Sequence, residues 1–199
     1  MIIHYNTIQK ETYTDVDINP DLPETHKKLI LKLLEEYQDI FTDVPKATDL
    51  ETHVIHLKEN ELVQCKPYPI PIHMKEVLNK ELDDLLKLGI IQPSSSYTCS
   101  PIVMVKKPDG STRVCINYKK LNAVSFTQVE PMNNIQDIFD KLGNNKYYSK
   151  FDLSKGYYQI KMAPESIDLT CFTTPDRGNF AFTRMPFGLS SAPMTFTRM

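Results

Sequence analysis

The stretch from Pro101 to Ile116 leaves the chain little conformational choice. Pro101-Ile-Val-Met-Val105 is a β-branched apolar run, Pro108-Asp109-Gly110 supplies turn residues, and Thr112-Arg-Val-Cys-Ile116 returns. Two runs joined this way predict a β-hairpin. Lys106 and Lys107 then stand near one side of the turn and Arg113 near the other. Such a cationic tip is able to clamp a triphosphate, because Arg bonds phosphate oxygens in a fork and Lys acts as a point charge. A solvated hairpin surface is the plainer alternative, and for a run of charges it is the usual one.

The rest of the chain alternates helical and strand patterns. Leu29, Ile30, Leu33, Leu34, Tyr37, Ile40 and Phe41 recur at helical spacing and predict an amphipathic helix over Glu24–Phe41. A second runs from about Ile72 to Leu88 on Met74, Leu78, Leu82, Leu85 and Leu86, with Gly89 placed as its stop. Its Asp83-Asp84 pair reads as a solvated helix face, since adjacent helical residues point about 100° apart. Asn133–Leu142 predicts a short helix with Ile135, Ile138, Phe139 and Leu142 inward. Cys171–Thr174 and Phe180–Arg184, flanking Pro175-Asp-Arg-Gly178, predict a second hairpin, and Ser190 or Ser191 begins a last helix. His53–Leu57 is a strand candidate, Pro67, Pro69 and Pro71 mark an extended connector, and Met1–Pro20 reads as a poorly ordered leader.

Charge is distributed unevenly. Residues 1–60 hold 12 Asp/Glu against 6 Lys/Arg, whereas Lys106–Lys120 has five cations and one carboxylate within a chain of formal charge −2. A local basic patch of this kind binds phosphates without making the whole chain adhesive. The four cysteines, Cys65, Cys99, Cys115 and Cys171, form no C-x-x-C and read as reduced thiols. His53 and His56 point to opposite faces of a strand, which argues against a shared metal. No apolar run approaches the roughly 20 residues of a membrane span. An intracellular, reducing compartment is the expectation.

Lys146–Gln159, KYYSKFDLSKGYYQ, carries the residue with most chemical promise. Tyr147, Tyr148 and Phe151 read as a buried strand ending in Asp152, and a carboxylate there costs stability unless it is paired or binds metal. An aspartate that only begins the turn Asp152-Leu-Ser-Lys-Gly156 is the competing explanation.

Three motifs in order carry a resemblance: Arg113-Val-Cys-Ile-Asn-Tyr-Lys-Lys-Leu-Asn122, Tyr148-Ser-Lys-Phe-Asp-Leu-Ser-Lys-Gly-Tyr-Tyr-Gln-Ile160 and Arg184-Met-Pro-Phe-Gly-Leu-Ser-Ser-Ala-Pro-Met-Thr-Phe196. In sequence and spacing they resemble the reverse transcriptases of gypsy-type LTR retrotransposons. The resemblance implies an α+β fold, the fingers of a right-hand polymerase with an incomplete ferredoxin-like palm. Its implied layout is a leader at 1–20, a helix and connector at 21–71, fingers at 72–145 and a partial palm at 146–199. The implied reaction is RNA-directed DNA synthesis, in which a primer 3′ hydroxyl attacks the α-phosphorus of a dNTP at two Mg²⁺ (or Mn²⁺) ions about 4 Å apart.

Residue by residue, Asp152 matches the first metal-binding aspartate and Leu153 the residue lending its backbone carbonyl. Tyr157 matches the aromatic that rejects a ribose 2′ hydroxyl. Arg113 matches the triphosphate-binding arginine, with Lys107 its better and Lys106 its weaker partner. Phe187 and Gly188 match the lining of the incoming nucleotide, and Lys119 and Lys120 fall where nucleic acid would be met. The implied partners are dNTP and an RNA or DNA template-primer. The implied place is cytoplasmic, in a virus-like particle, or nuclear.

Departures accompany the match. Asn117 and Lys119 stand where the family has Asp and Arg, Leu169 where it has Lys, and Pro131-Met-Asn-Asn is a loose version of Pro-Leu-Pro. The family's aromatic-x-Asp-Asp turn falls downstream of the Phe196 helix and is not reached by Met199, nor are the thumb and ribonuclease H regions. The expectation is therefore a truncated polymerase domain inactive by itself. The alternative is a non-catalytic remnant that binds nucleotide or nucleic acid.

Overall fold

The computed structural model describes residues 12–42, 44–59, 62–127, 134–143 and 145–199. Two compact units divide the chain, Met1–Pro45 with Leu153–Lys155, and Lys46–Asp152 with Gly156–Met199.

Among the described residues the first unit opens with a short turn. Tyr13–Asp15 form a 3-10 turn in which the Thr12 amide donates to the Asp15 carboxylate at 2.8 Å. Helix α1 spans Glu24–Glu36, shorter than the sequence predicts. Tyr37 leaves helical geometry at φ −105° and ψ 24°, and Gln38–Ile40 continue as a separate 3-10 turn. Leu34 is the buried residue of α1.

The second unit is built on a five-stranded sheet. Helix α2, Ile72–Lys87, lays Leu78, Leu82 and Leu85 on it, as the apolar spacing predicts. Gly89 ends the helix in left-handed backbone, φ 63°, while the Ile90 amide closes back onto the Leu85 carbonyl at 2.9 Å. After the two-residue β1 (Thr52–His53), the strands are β2 (Ile91–Pro93), β3 (Ser100–Lys106), β4 (Thr112–Ile116), the two-residue β5 (Lys161–Met162), β6 (Phe172–Thr174) and β7 (Gly178–Phe182). The sheet order is β2-β7-β6-β3-β4, with β3 parallel to β6 and the other pairs antiparallel; β1 and β5 pair separately, in parallel.

Both predicted hairpins are present. In the first, the Asp109 carboxylate accepts from the Ser111 amide at 2.8 Å and its hydroxyl at 2.6 Å, bonds that hold the carboxyl below its usual range. The turn of the second reaches α2, where Arg177 bonds the Asp83 carboxylate at 2.8 Å and the Asn79 carbonyl at 3.3 Å. Asp83 is thus an ion-pair partner rather than a purely solvated residue.

A second core gathers Ile55, Val63, Leu121, Ile160, Met185 and Leu189 between the connector and three short helices, α3 (Lys119–Val124), α5 (Pro164–Ile167) and α6 (Ala192–Arg198). Helix α4, Ile135–Leu142, precedes α5 in the chain and begins with Asn134 accepting from the Gln136 amide. His53 is fully buried beneath α6. Its Nδ1 lies 2.8 Å from the Thr195 hydroxyl and its Nε2 3.3 Å from that of Ser191. Burial, seconded by the Arg198 charge, lowers its pKa to about 4.

Three expectations fail. The strand expected over His53–Leu57 is confined to Thr52–His53, with Leu57 in an isolated bridge to Ser125. Residues 146–152 form no strand, and Tyr147 and Phe151 are 71% and 74% exposed. Their aromatic character favours strand geometry, but among the described residues no neighbouring strand bonds to them, and a strand is held by its ladder. The apolar face of α4 is likewise exposed, with Ile135 at 69% and Phe139 at 61%, rather than turned inward. The departure noted at Pro131-Met-Asn-Asn lies largely outside the described residues.

Candidate nucleotide-binding site

The second unit brings together residues that lie far apart in the chain. Arg113 projects from β4, opposite Val105 in the hairpin register, and its guanidinium lies 5.1 Å from the centroid of the Phe187 ring. Phe187 in turn stacks on Tyr157 at 4.8 Å and 23°, and meets Tyr158 edge-on at 5.6 Å and 79°. Tyr157 also packs on Phe196 of α6 at 5.2 Å. The result is an aromatic platform, still 42% exposed at Phe187, with a cation at its margin.

Each piece has a local cause. Gly156–Gln159 form a 3-10 turn that presents Tyr157 and Tyr158 on neighbouring faces. Tyr158 is half-buried, and desolvation with the nearby Glu81 charge raises its phenol against the smaller, opposite pull of Arg113. Met185 and Pro186 are buried, and the Met185 amide donates to the Ile160 carbonyl at 2.9 Å, which anchors the loop that carries Phe187. Gly188 follows at φ 97°, and a Cβ there would lie 3.4 Å from the Ile116 carbonyl oxygen and 3.5 Å from the Tyr118 ring. The neighbouring Tyr118 is itself fully buried and donates its hydroxyl to the Thr170 carbonyl at 2.8 Å.

Asn122 holds this loop from the α3 side. Its amide donates to the Gly188 carbonyl at 2.8 Å, and its carbonyl accepts from the Ser190 amide at 2.9 Å. No local signal marks it, because both partners lie more than 60 residues away. Asn117, one of the departures, has a structural use: its side-chain oxygen accepts from the Lys119 amide at 3.1 Å, at the start of α3.

The remaining candidates are dispersed. Lys106 sits opposite Thr112 at the end of β3, and Lys107 enters the turn, where its amide donates to the Ser111 carbonyl at 2.8 Å. Both side chains are exposed, as is that of Lys119. Lys120 is exposed but reaches the Gln64 carbonyl at 3.3 Å. Asp152 is exposed and stands in the second unit, whereas Leu153, 49% exposed, is grouped with the first. Among the described residues no three His, Cys, Asp or Glu side chains converge to hold a metal ion. Asp152 by itself supplies only part of the donors that a two-ion site needs.

Residues 105–199 match the family described as reverse transcriptase (RNA-dependent DNA polymerase). The chain is 35% identical over 196 residues to the retrovirus-related Pol polyprotein from transposon opus of Drosophila melanogaster, covering 92% of this chain and 19% of that protein. It thus spans about a fifth or less of the length of this and similar curated relatives. Among solved structures it is similar to the prototype foamy virus protease-reverse transcriptase, CSH mutant, with a TM-score of 0.77 and 28% identity over 89% of this chain and 24% of that one. It is also similar to the foamy viral protease-reverse transcriptase dRH in complex with double-stranded DNA, with a TM-score of 0.74 and 26% identity over 89% of this chain and 31% of that one. The α+β arrangement of helices and mixed sheet is that of the fingers and palm of these enzymes. Residues 105–199 therefore carry a domain of the reverse transcriptase family, related to the Pol polyproteins of several LTR retrotransposons and to the foamy viral enzyme.

Proposed function

We propose that this chain is the nucleotide-receiving part of an RNA-directed DNA polymerase from a gypsy-type LTR retroelement, with fingers over 72–145 and the start of the palm over 146–199. The observation that carries the reading is the packing of the Arg113 guanidinium on Phe187, itself stacked on Tyr157. A fixed guanidinium offers a fork to phosphate oxygens, with Lys107 and Lys106 adding positive charge from the same hairpin. The Tyr157–Phe187 platform offers an apolar face to a sugar, and the absence of a side chain at Gly188 keeps the loop close to Ile116. Lys119 and Lys120 lie on the α3 surface as contacts for the template-primer backbone. The foamy viral relative in complex with double-stranded DNA supports a nucleic-acid partner by analogy.

Divalent metal is the family's means of neutralising the transferred phosphates, and Asp152 with the Leu153 carbonyl is the part of that donor set assigned to this chain. A second reading is binding of nucleotide or nucleic acid without turnover, through the cations of the first hairpin. Titration with a deoxynucleoside triphosphate, followed through the Phe187 and Tyr157 ring resonances, tests the site. Arg113→Ala is expected to weaken binding roughly 10- to 100-fold, the loss of charge-assisted hydrogen bonds, and Arg113→Lys to restore only part of it. Equal affinity in all three chains would refute the assignment.

A further inference from the structure

Two of the four cysteines stand side by side in the fold, although 72 positions separate them in sequence. Strands β3 and β6 run parallel with Ser100 opposite Phe172 and Pro101 opposite Thr173. The register continues one step back, since the Ser100 amide donates to the Cys171 carbonyl at 2.9 Å, and this sets Cys99 opposite Cys171. In-register residues of neighbouring strands lie about 4.8 Å apart at Cα with side chains on the same face, inside the range that a disulfide spans. The Cys99 thiol donates locally to the Ser100 carbonyl at 3.8 Å, and no hydrogen bond joins the two sulfurs among the described residues.

Cys65 is close but differently directed. The parallel bridge on the other flank sets Gln64, not Cys65, opposite Cys99, so successive side chains turn Cys65 to the other face. It packs instead against the second core, beside Ile55 and Val63. Cys115 lies on β4 opposite Val103, across the hairpin from the pair.

We propose that Cys99 and Cys171 form a dithiol that a peroxide converts to a reversible intramolecular disulfide, clamping β3 to β6. Cys99 is the half-buried member and the one oxidant reaches; Cys171 is fully buried and acts as the resolving thiol. The Cys99 sulfur, losing its proton, attacks one peroxide oxygen and breaks the O–O bond, giving a sulfenic acid and one water. The Cys171 sulfur then displaces that hydroxyl, forming the S–S bond and releasing the second water. Two thiols are oxidised and one hydrogen peroxide is reduced to two waters. Burial raises both thiols, Cys171 to about 11, so the thiolate fraction at neutral pH is small and the reaction is slow.

The test uses the full 199-residue chain treated with hydrogen peroxide, quenched with iodoacetamide, and mapped by mass spectrometry. The expected result is a mass loss of about 2 Da, one linked peptide pair containing Cys99 and Cys171, and alkylation at Cys65 and Cys115 alone. The thermal midpoint rises on oxidation and returns with dithiothreitol. Cys171→Ser leaves a sulfenic acid at Cys99 that dimedone traps, whereas Cys65→Ser keeps the link. Four alkylatable thiols after peroxide treatment that oxidises the urea-unfolded chain would overturn the proposal, as would a link to Cys65 or between molecules. The map of the unsubstituted chain decides even if a serine variant fails to fold.

Discussion

Gly188 shows how narrow the tolerances of the site are at the level of one residue. Its φ of 97° and the 3.4 Å approach that a Cβ would make to the Ile116 carbonyl both exclude a side chain. Gly188→Ala is expected to lower stability by roughly 1–2 kcal/mol, read as a reduced urea midpoint. His53 makes a second prediction at this scale. Its folded pKa of about 4 lies below the ordinary value of 6.5, so between these values the unfolded chain binds the proton and the folded chain does not. The stabilisation is complete above pH 6.5 and is lost as pH falls toward 4, by about 3 kcal/mol in total. Urea midpoints across that window in the natural chain and in His53→Gln measure it, and the variant is expected to show the shallower dependence. The sequence revealed which residues of the site to watch but not how they meet. Arg113, Phe187 and Tyr157 were each marked by a motif, whereas their stacking, and the hold of Asn122 on the loop, arise from contacts between distant segments.

Elements were legible in proportion to how locally they are determined. The two hairpins carry their own turn chemistry, and α2 carries both an apolar stripe and its terminating glycine, so each could be read without neighbours. Because that stripe faces the sheet at Leu82, which is 1% exposed, Leu82→Ala is expected to cost about 2–5 kcal/mol by denaturant titration. The segment Tyr147–Phe151 misled for the opposite reason. Aromatic residues favour a strand, but pairing depends on a second strand that local sequence does not specify. Helix α4 repeats the lesson: its 3.6-residue period identifies a helix with an apolar face, and says nothing about whether that face is covered.

At the scale of the molecule, the role proposed for Asp152 would separate binding from turnover. In a polymerase that contains this domain, Asp152→Asn is expected to lower primer extension on an RNA template by a hundredfold or more while leaving triphosphate affinity at Arg113 little changed. Primer extension that survives the substitution would show that Asp152 is a turn residue. The sheet order has a further consequence, for the route by which the chain reaches this fold. Strands β2 and β3 are neighbours in sequence, yet β7 and β6 lie between them in the sheet. Ribosomal synthesis delivers α2, β2 and the first hairpin well before the second hairpin exists, leaving a slot two strands wide. Long-range closure of this kind slows folding and keeps apolar edges uncovered while the chain waits. The hairpin from Phe172 to Phe182 thus acts as a late keystone, and until it is inserted the earlier strands are exposed to mispairing or capture by chaperones.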